Sequence, residues 1–389
     1  MSKWPMVRLD EVFALEMGKT PARDNPAYWG GDAKWASIAD VGRAGMYLED
    51  TKESITQLAV SESGIKLVPA NTVVMSFKLS IGKTAITKKD IYTNEAIMAF
   101  HPLEKGRFDL HYLYHLFSNK NWSEGGNKAV MGTTLNKTTL KVVKIPVPSI
   151  DEQREIAQVL DKIKEVASRT EDELGKLNQL VKSRFVEMFG VGDEMLCRWT
   201  VQPLGENAFI TKLAGFEYTK YIKYKNSGEI IMIRGLNCKK TRLVLDDVYW
   251  IDRKTSDLLP RSKLSKGDIV FTYVGTVGEV AVIDKDNTYH LAPNVAKIEL
   301  LDKASNDSVF LAHLLMYMRQ YILKFAATTT QSALSMERIR KIPLPFPPHS
   351  LQHEFAAFVA EVDKSEFAVR KRLEKARQLY RAKLQEYFG

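Results

Sequence analysis

The chain has 389 residues, 45% of them hydrophobic and 26% charged, and its 56 Lys and Arg against 47 Asp and Glu leave a net charge of +9. That length exceeds one ordinary core and predicts two globular units with connecting helices. No apolar run approaches a bilayer-crossing length, the start MSKWPMVRLDEVF lacks a signal-peptide pattern, and Cys197 and Cys238 stand without partners at ligand spacing, so a soluble, cytoplasmic chain with neither disulfide framework nor zinc site is expected.

From the N-terminus, MGKTPARDNPAYWGG (Met17 to Gly31) is a turn-rich loop carrying Lys19, Thr20 and Arg23. Next, NTVVMSFKLSIGKTAIT (Asn71 to Thr87) has two apolar, β-branched runs around a Gly-centred break, which predicts two strands joined by a polar turn. FDLHYLYHLFSN (Phe108 to Asn119) predicts an amphipathic helix, and MGTTLNKTTLKVVKIP (Met131 to Pro146) a polar, threonine-rich loop. His111 and His115 are spaced i,i+4, as are His349 and His353, without the Glu or third ligand of a metal helix, so packing or surface histidines are expected.

The stretch that follows organises the chain. KIPVPSIDEQREIAQVLDKIKEVASRTEDELGKLNQLVKSRFVEMFG (Lys144 to Gly190) opens with prolines, offers Ser149 and Glu152 as a capping box, and ends on glycine: the punctuation of one long helix. Ile156, Leu160, Ile163, Ala167, Thr170, Leu174, Leu177, Val181, Arg184 and Met188 alternate steps of four and three, a heptad seam. Gly175 interrupts it at a cost of roughly 1 kcal/mol relative to alanine.

The whole pattern then recurs. Trp199 and Leu204 answer Trp4 and Leu9; GDIVFTYVGTVGEVAVI (Gly267 to Ile283) answers the first strand pair; SVFLAHLLMYMRQY (Ser308 to Tyr321) answers the helix; TTTQSALSMERIRKIP (Thr328 to Pro343) answers the threonine loop. Lys341 to Gly389 again opens Lys-Ile-Pro-aliphatic-Pro and ends Phe-Gly, with Ser350 as expected N-cap. A shift of 199 places Phe355, Val359, Val362, Glu366, Val369, Leu373, Ala376, Tyr380, Lys383 and Tyr387 on the same seam. The chain is a tandem repeat, and two equal stripes on helices this long predict an intramolecular coiled coil. The expected domains are 1-148, a first long helix 149-190, a second domain 191-348 and a second long helix 349-389. The loop KLAGFEYTKYIKYK (Lys212 to Lys225) differs from its counterpart at 17 to 31 yet stays basic and aromatic, as expected of two domains that read different things.

Residues 1 to 150 hold 19 Lys and Arg against 15 Asp and Glu, and residues 191 to 348 hold 22 against 17, whereas the two long helices together hold 15 against 15. The positive excess sits in the globular parts and directs a polyanion to them. Neither Gly18-Lys19-Thr20 nor Gly82-Lys83-Thr84 has the upstream glycine of a phosphate-binding loop, and Gly275-Thr276-Val277-Gly278 lies between strands, where a KH domain needs helices. Amino-methyltransferase, helicase and nuclease motifs are not found. The expected chain is non-catalytic.

Two divergent domains, each entering a similar long helix through Lys-Ile-Pro-Leu/Val-Pro, together with FKLSIGKTAI (Phe77 to Ile86) and YVGTVGEVAV (Tyr273 to Val282), resemble the DNA-specificity subunit of type I restriction-modification enzymes. The resemblance covers the whole chain. It implies an α+β fold of two α/β-type target recognition domains, each followed by one helix of an antiparallel coiled coil. It further implies double-stranded DNA with a bipartite target, two methyltransferase (modification) subunits, and restriction or motor subunits as partners. S-adenosylmethionine, ATP and Mg belong to those partners, and no cofactor to this chain.

DNA contacts carried over by position are Lys19, Thr20, Arg23, Lys78, Lys83, Thr133, Thr134 and Lys137 in the first domain. In the second they are Arg234, Thr276, Lys324, Thr329, Thr330, Gln331, Ser332 and Arg338. Arg and Gln can read guanine and adenine bidentately, while lysines and hydroxyls more often hold phosphate. The alternative reading is a coiled-coil scaffold with two protein-binding modules, which leaves the distribution of charge unexplained.

Overall fold

The computed structural model describes residues 3-122, 135-326 and 333-389. The longest helices among the described residues are α1 (Leu110–Asn119), α2 (Ile150–Phe189), α3 (Ser308–Tyr317) and α4 (His349–Phe388). Contacts group the residues up to Asp172 with Arg370–Gly389 as one unit, and Glu173–Val369 as the other. Both 40-residue helices therefore contribute to both units. Among the described residues no helix is long and apolar enough to cross a membrane.

The first unit is built on a five-stranded sheet of β1 (Phe13–Met17), β2 (Tyr47–Leu48), β3 (Val73–Ser76), β4 (Thr84–Thr87) and β5 (Ile97–Pro102), in the order β1-β5-β3-β4-β2. All pairings are antiparallel except β2 with β4, where Tyr47 lies opposite Ile86. A three-stranded sheet of Glu53–Ile55, Trp29–Ala36 and Tyr92–Thr93 stands beside it. The second unit repeats this frame with β6 (Ala208–Lys212), β7 (Ile269–Thr272), β8 (Val280–Val282) and β9 (Val295–Leu300), ordered β6-β9-β7-β8. There the place of β2 is taken by a parallel bridge from Thr241 to Ala281.

The two expected strand pairs are present as antiparallel hairpins, Val73 opposite Ile86 and Ile269 opposite Val282. The first short helix is amphipathic as expected, whereas the second is almost uniformly apolar. Six consecutive residues are buried in each, Tyr112 to Phe117 in α1 and Phe310 to Leu315 in α3. Packing explains this, because α1 lies on β3 and β4 and also hydrogen-bonds to α2 on its other side.

The capping box forms as read: the Ser149 amide and hydroxyl donate to Glu152 at 3.0 and 2.9 Å, and the Glu152 amide donates back to the Ser149 hydroxyl at 3.3 Å. Ser350 is not the N-cap. The helix begins at His349, and the Pro348 carbonyl accepts from the Leu351 and Gln352 amides, because the rigid Pro-Pro pair already presents a carbonyl at that point.

Within the first unit, the seam residues Ile156 and Leu160 join a core with Tyr380, Leu384, Tyr387 and Phe388. Within the second, Val181 joins Phe355, Val359 and Val362. Chain direction reverses in each pairing: Glu171 meets Arg377 at 2.7 Å, and Arg184 meets Glu354 at 2.7 Å. The halves of α2 and α4 run antiparallel in both units.

Several seam positions depart from the heptad reading. Leu174 and Leu177 are only half-buried, and Arg184 holds Glu187 and Glu354 at the surface while off-seam Phe185 and Phe189 are fully buried. Phe185 stacks on Phe310 of α3, so the helix end turns its face to the globular core. The polar seam members also differ in level. At a shift of 199, Thr170 corresponds to Val369 and Glu366 to Ala167. Thr170 donates to the Val166 carbonyl at 2.6 Å, and buried Glu366 is ion-paired to Arg242.

Candidate nucleic-acid interface

The hairpin β3-β4 and its counterpart β7-β8 end in tips with the same internal bonding. In the first, the Ser76 amide donates to the Lys83 carbonyl at 2.9 Å, Gly82 donates to the Ser76 carbonyl at 2.9 Å, and the Lys83 amide donates to Ser76 Oγ at 3.1 Å. Ser76 Oγ itself donates to the Ser80 carbonyl. In the second, Thr272 donates to Glu279 at 2.9 Å, Gly278 to the Thr272 carbonyl at 3.0 Å, and the Glu279 amide to Thr272 Oγ at 2.9 Å, while Thr272 Oγ donates to the Thr276 carbonyl at 2.5 Å. A short hydroxyl residue at the strand end thus knots each tip, and Gly82 and Gly278 supply the left-handed turn at φ 88° and 91°.

Each tip is braced by a residue near one of the threonine-rich stretches in sequence, Trp122 in the first unit and Leu334 in the second. Gly82 lies against Trp122, whose indole donates to the Phe117 carbonyl at 2.8 Å, and Leu334 donates to the Tyr273 carbonyl at 2.9 Å beside a Val274-Ala333 bridge. Thr133, Thr134, Thr329, Thr330, Gln331 and Ser332 lie outside the described residues.

In the first unit, Lys78 and Lys83 flank the tip; Lys78 sits over the Phe77 ring at 5.3 Å, and Lys83 lies across Gly42. The Phe77 amide donates to the Ala96 carbonyl, and one residue away Thr20 bonds Glu95, while the Lys19 amide donates to Thr93 at 2.8 Å. Lys19, Thr20, Lys78 and Lys83 are thus brought to one end of the unit. Lys137 is exposed at the start of the short helix Lys137–Lys141. Arg23 is held differently: it makes a bidentate pair with Glu53 at 2.6 and 3.1 Å and stacks over Trp29 at 3.8 Å. Its bond to Glu53 raises the guanidinium pKa and lowers that of the carboxylate.

In the second unit, Thr276 is exposed on the tip, and Lys324 is exposed beside Tyr321. Arg338 donates to the Phe325 carbonyl at 3.3 Å, across the stem of its own loop. Arg234 is largely enclosed, donating to the Asp247 carbonyl at 2.7 Å, pairing with its carboxylate at 3.0 Å and lying over Tyr249 at 4.5 Å. Arg23 and Arg234 would have to exchange an internal carboxylate for DNA; the lysines would not.

Three groups that couple the globular parts to the helices have no place in the heptad reading. Gln153 and Gln352 are fully buried, and each accepts from the backbone amide of the residue that N-caps α1 or α3, Asp109 and Asp307, at 3.0 Å. His115 and His313 each follow that aspartate by six residues. His115 donates through Nε2 to Asp161 at 2.7 Å and accepts from the Tyr380 hydroxyl at 2.9 Å, while His111 donates to the same carboxylate at 2.5 Å. Burial disfavours the ionised Asp161, but the two imidazoles outweigh it and hold the pKa below the usual carboxylate range. His313 instead donates to the Val309 carbonyl at 2.8 Å among Phe355 and Tyr317, and burial pushes its pKa down to about 4. Finally, Arg242 pairs with Asp363 and Glu366. The repeat offset alone marks the glutamines and histidines; nothing in the sequence marks Arg242.

A family model described as the type I restriction modification DNA specificity domain matches residues 1–180 and 199–376. The MjaIX specificity subunit of Methanocaldococcus jannaschii is 30% identical over 190 residues, 48% of this chain and 43% of that protein. The EcoR124I/EcoR124II specificity subunit of Escherichia coli is 30% identical over 166 residues, 40% of this chain and 39% of that one. The match thus spans under half the length of either relative. The MjaVIII specificity subunit is 22% identical over 92% of this chain and 86% of its own. Among solved structures, the S subunit of a type I restriction-modification system from M. genitalium covers the whole chain at 15% identity with a TM-score of 0.57, matching 96% of its own length. With the family model matching both halves of the repeat, the chain belongs to the type I restriction-modification DNA specificity family.

Proposed function

We propose that this chain is the non-catalytic specificity subunit of a type I restriction-modification complex, with each globular domain reading one half of a bipartite DNA target. The observation that carries this reading is the pair of hairpin tips, built with the same hydrogen bonds but presenting different side chains. A constant scaffold with variable display is what reading two different half-sites requires. The positive excess in the globular parts supplies attraction to phosphate.

In this reading α2 and α4 set the separation of the half-sites and hold two adenine-methyltransferase subunits. A helix of 40 residues is roughly 60 Å long at 1.5 Å per residue, enough to span half-sites about one turn, roughly 34 Å, apart. S-adenosylmethionine, ATP and Mg are used by the partner subunits, which include restriction subunits where cleavage occurs, and the complex works on cytoplasmic DNA.

The test is purification from the native source followed by adenine methylation. Methyltransferase subunits should follow the chain, and the complex should methylate a two-part sequence that neither partner methylates alone. A solitary protein with no effect on the sequence preference of methylation would reject the reading in favour of the scaffold.

A further inference from the structure

The two hairpin tips correspond residue by residue at a shift of 196, which sets Leu79 opposite Gly275. Both adopt left-handed backbone, with φ 60° and 79°. Glycine takes that conformation freely, whereas a side chain with a Cβ crowds the neighbouring carbonyl. Leu79 is moreover 91% exposed, the highest value among the large apolar side chains of the described residues. The first domain therefore holds in a strained conformation a leucine that contributes nothing to its core. An exposed leucine alone would be unremarkable. What distinguishes this one is the rigid, twice-used tip that aims it and the cations, Lys78 and Lys83, on either side.

We propose that Leu79 is a specificity-determining contact of the first domain: an apolar side chain that packs on a base of its half-site while the flanking lysines hold phosphate. This rests on the DNA-reading function proposed above. Apolar side chains discriminate bases by packing on the thymine methyl or by wedging between base steps. Local strain kept at an exposed tip is accounted for by the contact it prepositions. The second domain has no such side chain at Gly275, so the contact belongs to one half-site only.

The experiment uses the chain assembled with its methyltransferase partners and duplexes carrying the target read from the native adenine-methylation pattern. Leu79→Gly should melt at or above the wild-type temperature, because the strain is relieved. It should also bind the target about ten-fold more weakly, the scale of one lost base contact, with no change on unrelated DNA. The lost discrimination should map to the half-site of the first domain, and Leu79→Met should restore it. Replacing thymines of that half-site by uracil should weaken the wild type and not Leu79→Gly if the methyl is the contact; a Leu79-dependent bend by end-to-end fluorescence transfer would identify a wedge. Unchanged affinity and discrimination in Leu79→Gly, or equal weakening on target and unrelated DNA, would overturn the proposal. If the wild-type complex itself showed no bipartite preference, the proposed function would fall, and this contact with it.

Discussion

Gln153 and Gln352, 199 residues apart, do the same work in their two units. Each is a buried amide in the first turn of a long helix that accepts from the backbone of the aspartate capping α1 or α3 and donates to a proline carbonyl, at 3.1 Å to Pro148 and 2.8 Å to Pro347. Gln153 also donates to Arg107, and Gln352 to Asn306. A side chain that satisfies three buried backbone or amide groups welds the start of the long helix to the globular part.

Leucine at position 153 keeps the volume but strands the Asp109 amide and the Pro148 carbonyl. Stranded buried groups cost about 1 to 3 kcal/mol each. Gln153→Leu should lower the urea midpoint of the first unit, and Gln352→Leu should do the same in the second. Gln158→Leu on the exposed face of α2 should leave both midpoints unchanged.

The helices should be sensitive where they meet the globular cores and tolerant midway. Phe355 is fully buried against Phe185 and Phe189, and Phe355→Ala should cost about 3 to 5 kcal/mol. Leu174 is only half-buried, so Leu174→Ala should cost clearly less. Gly175 is exposed, and a methyl there would meet nothing within 4 Å. Gly175→Ala should therefore stabilise by roughly 0.5 to 1 kcal/mol. Chemical unfolding of the three variants checks the order.

Acid should destabilise the fold before any carboxylate of ordinary pKa is protonated. Burial lowers the pKa of His115, His290 and His313, the last to about 4. A histidine whose folded pKa lies below its unfolded value near 6.5 binds fewer protons in the native state. Native stability is thus intact above pH 6.5 and declines as pH falls toward the folded value. For His313, 5% exposed, the loss is on the order of 3 kcal/mol between those limits. The melting temperature should fall from pH 7.5 to 5, and His313→Leu should flatten that fall.

A ruler differs from a tether in its response to length. Deleting one heptad from each long helix at facing levels keeps both seams in phase and removes roughly 10 Å at 1.5 Å per residue. That is about three base pairs. With half-sites held constant and the spacer varied, methylation by the complex should show its optimum at a shorter spacer. Only part of the activity should return, because removing base pairs also rotates one half-site about the DNA axis. An unchanged optimum would assign the spacing to the methyltransferase subunits.

The sequence by itself determined the repeat, the two long helices and their shared stripe, and the two hairpins, because these rest on local periodicity and turn chemistry. Proline entry, a Ser149-Glu152 box and the Gly190 terminus, at φ 80°, need no knowledge of what lies nearby. The family also follows from that ordering of parts. Tertiary structure alone decided which side chains at each helix end are buried. The heptad placed Arg184 inward, but α3 lies on that side of the second unit and draws in Phe185 instead. It likewise decided that Asp161 would be shared by two histidines, that Arg242 would reach Glu366, and that Arg23 would be engaged by Glu53. Each of these pairs joins residues at least 30 positions apart in sequence, with no local pattern to link them. The strain at Leu79 is of the same kind, since a leucine in a polar turn is unremarkable until the backbone shows that its equivalent needed glycine.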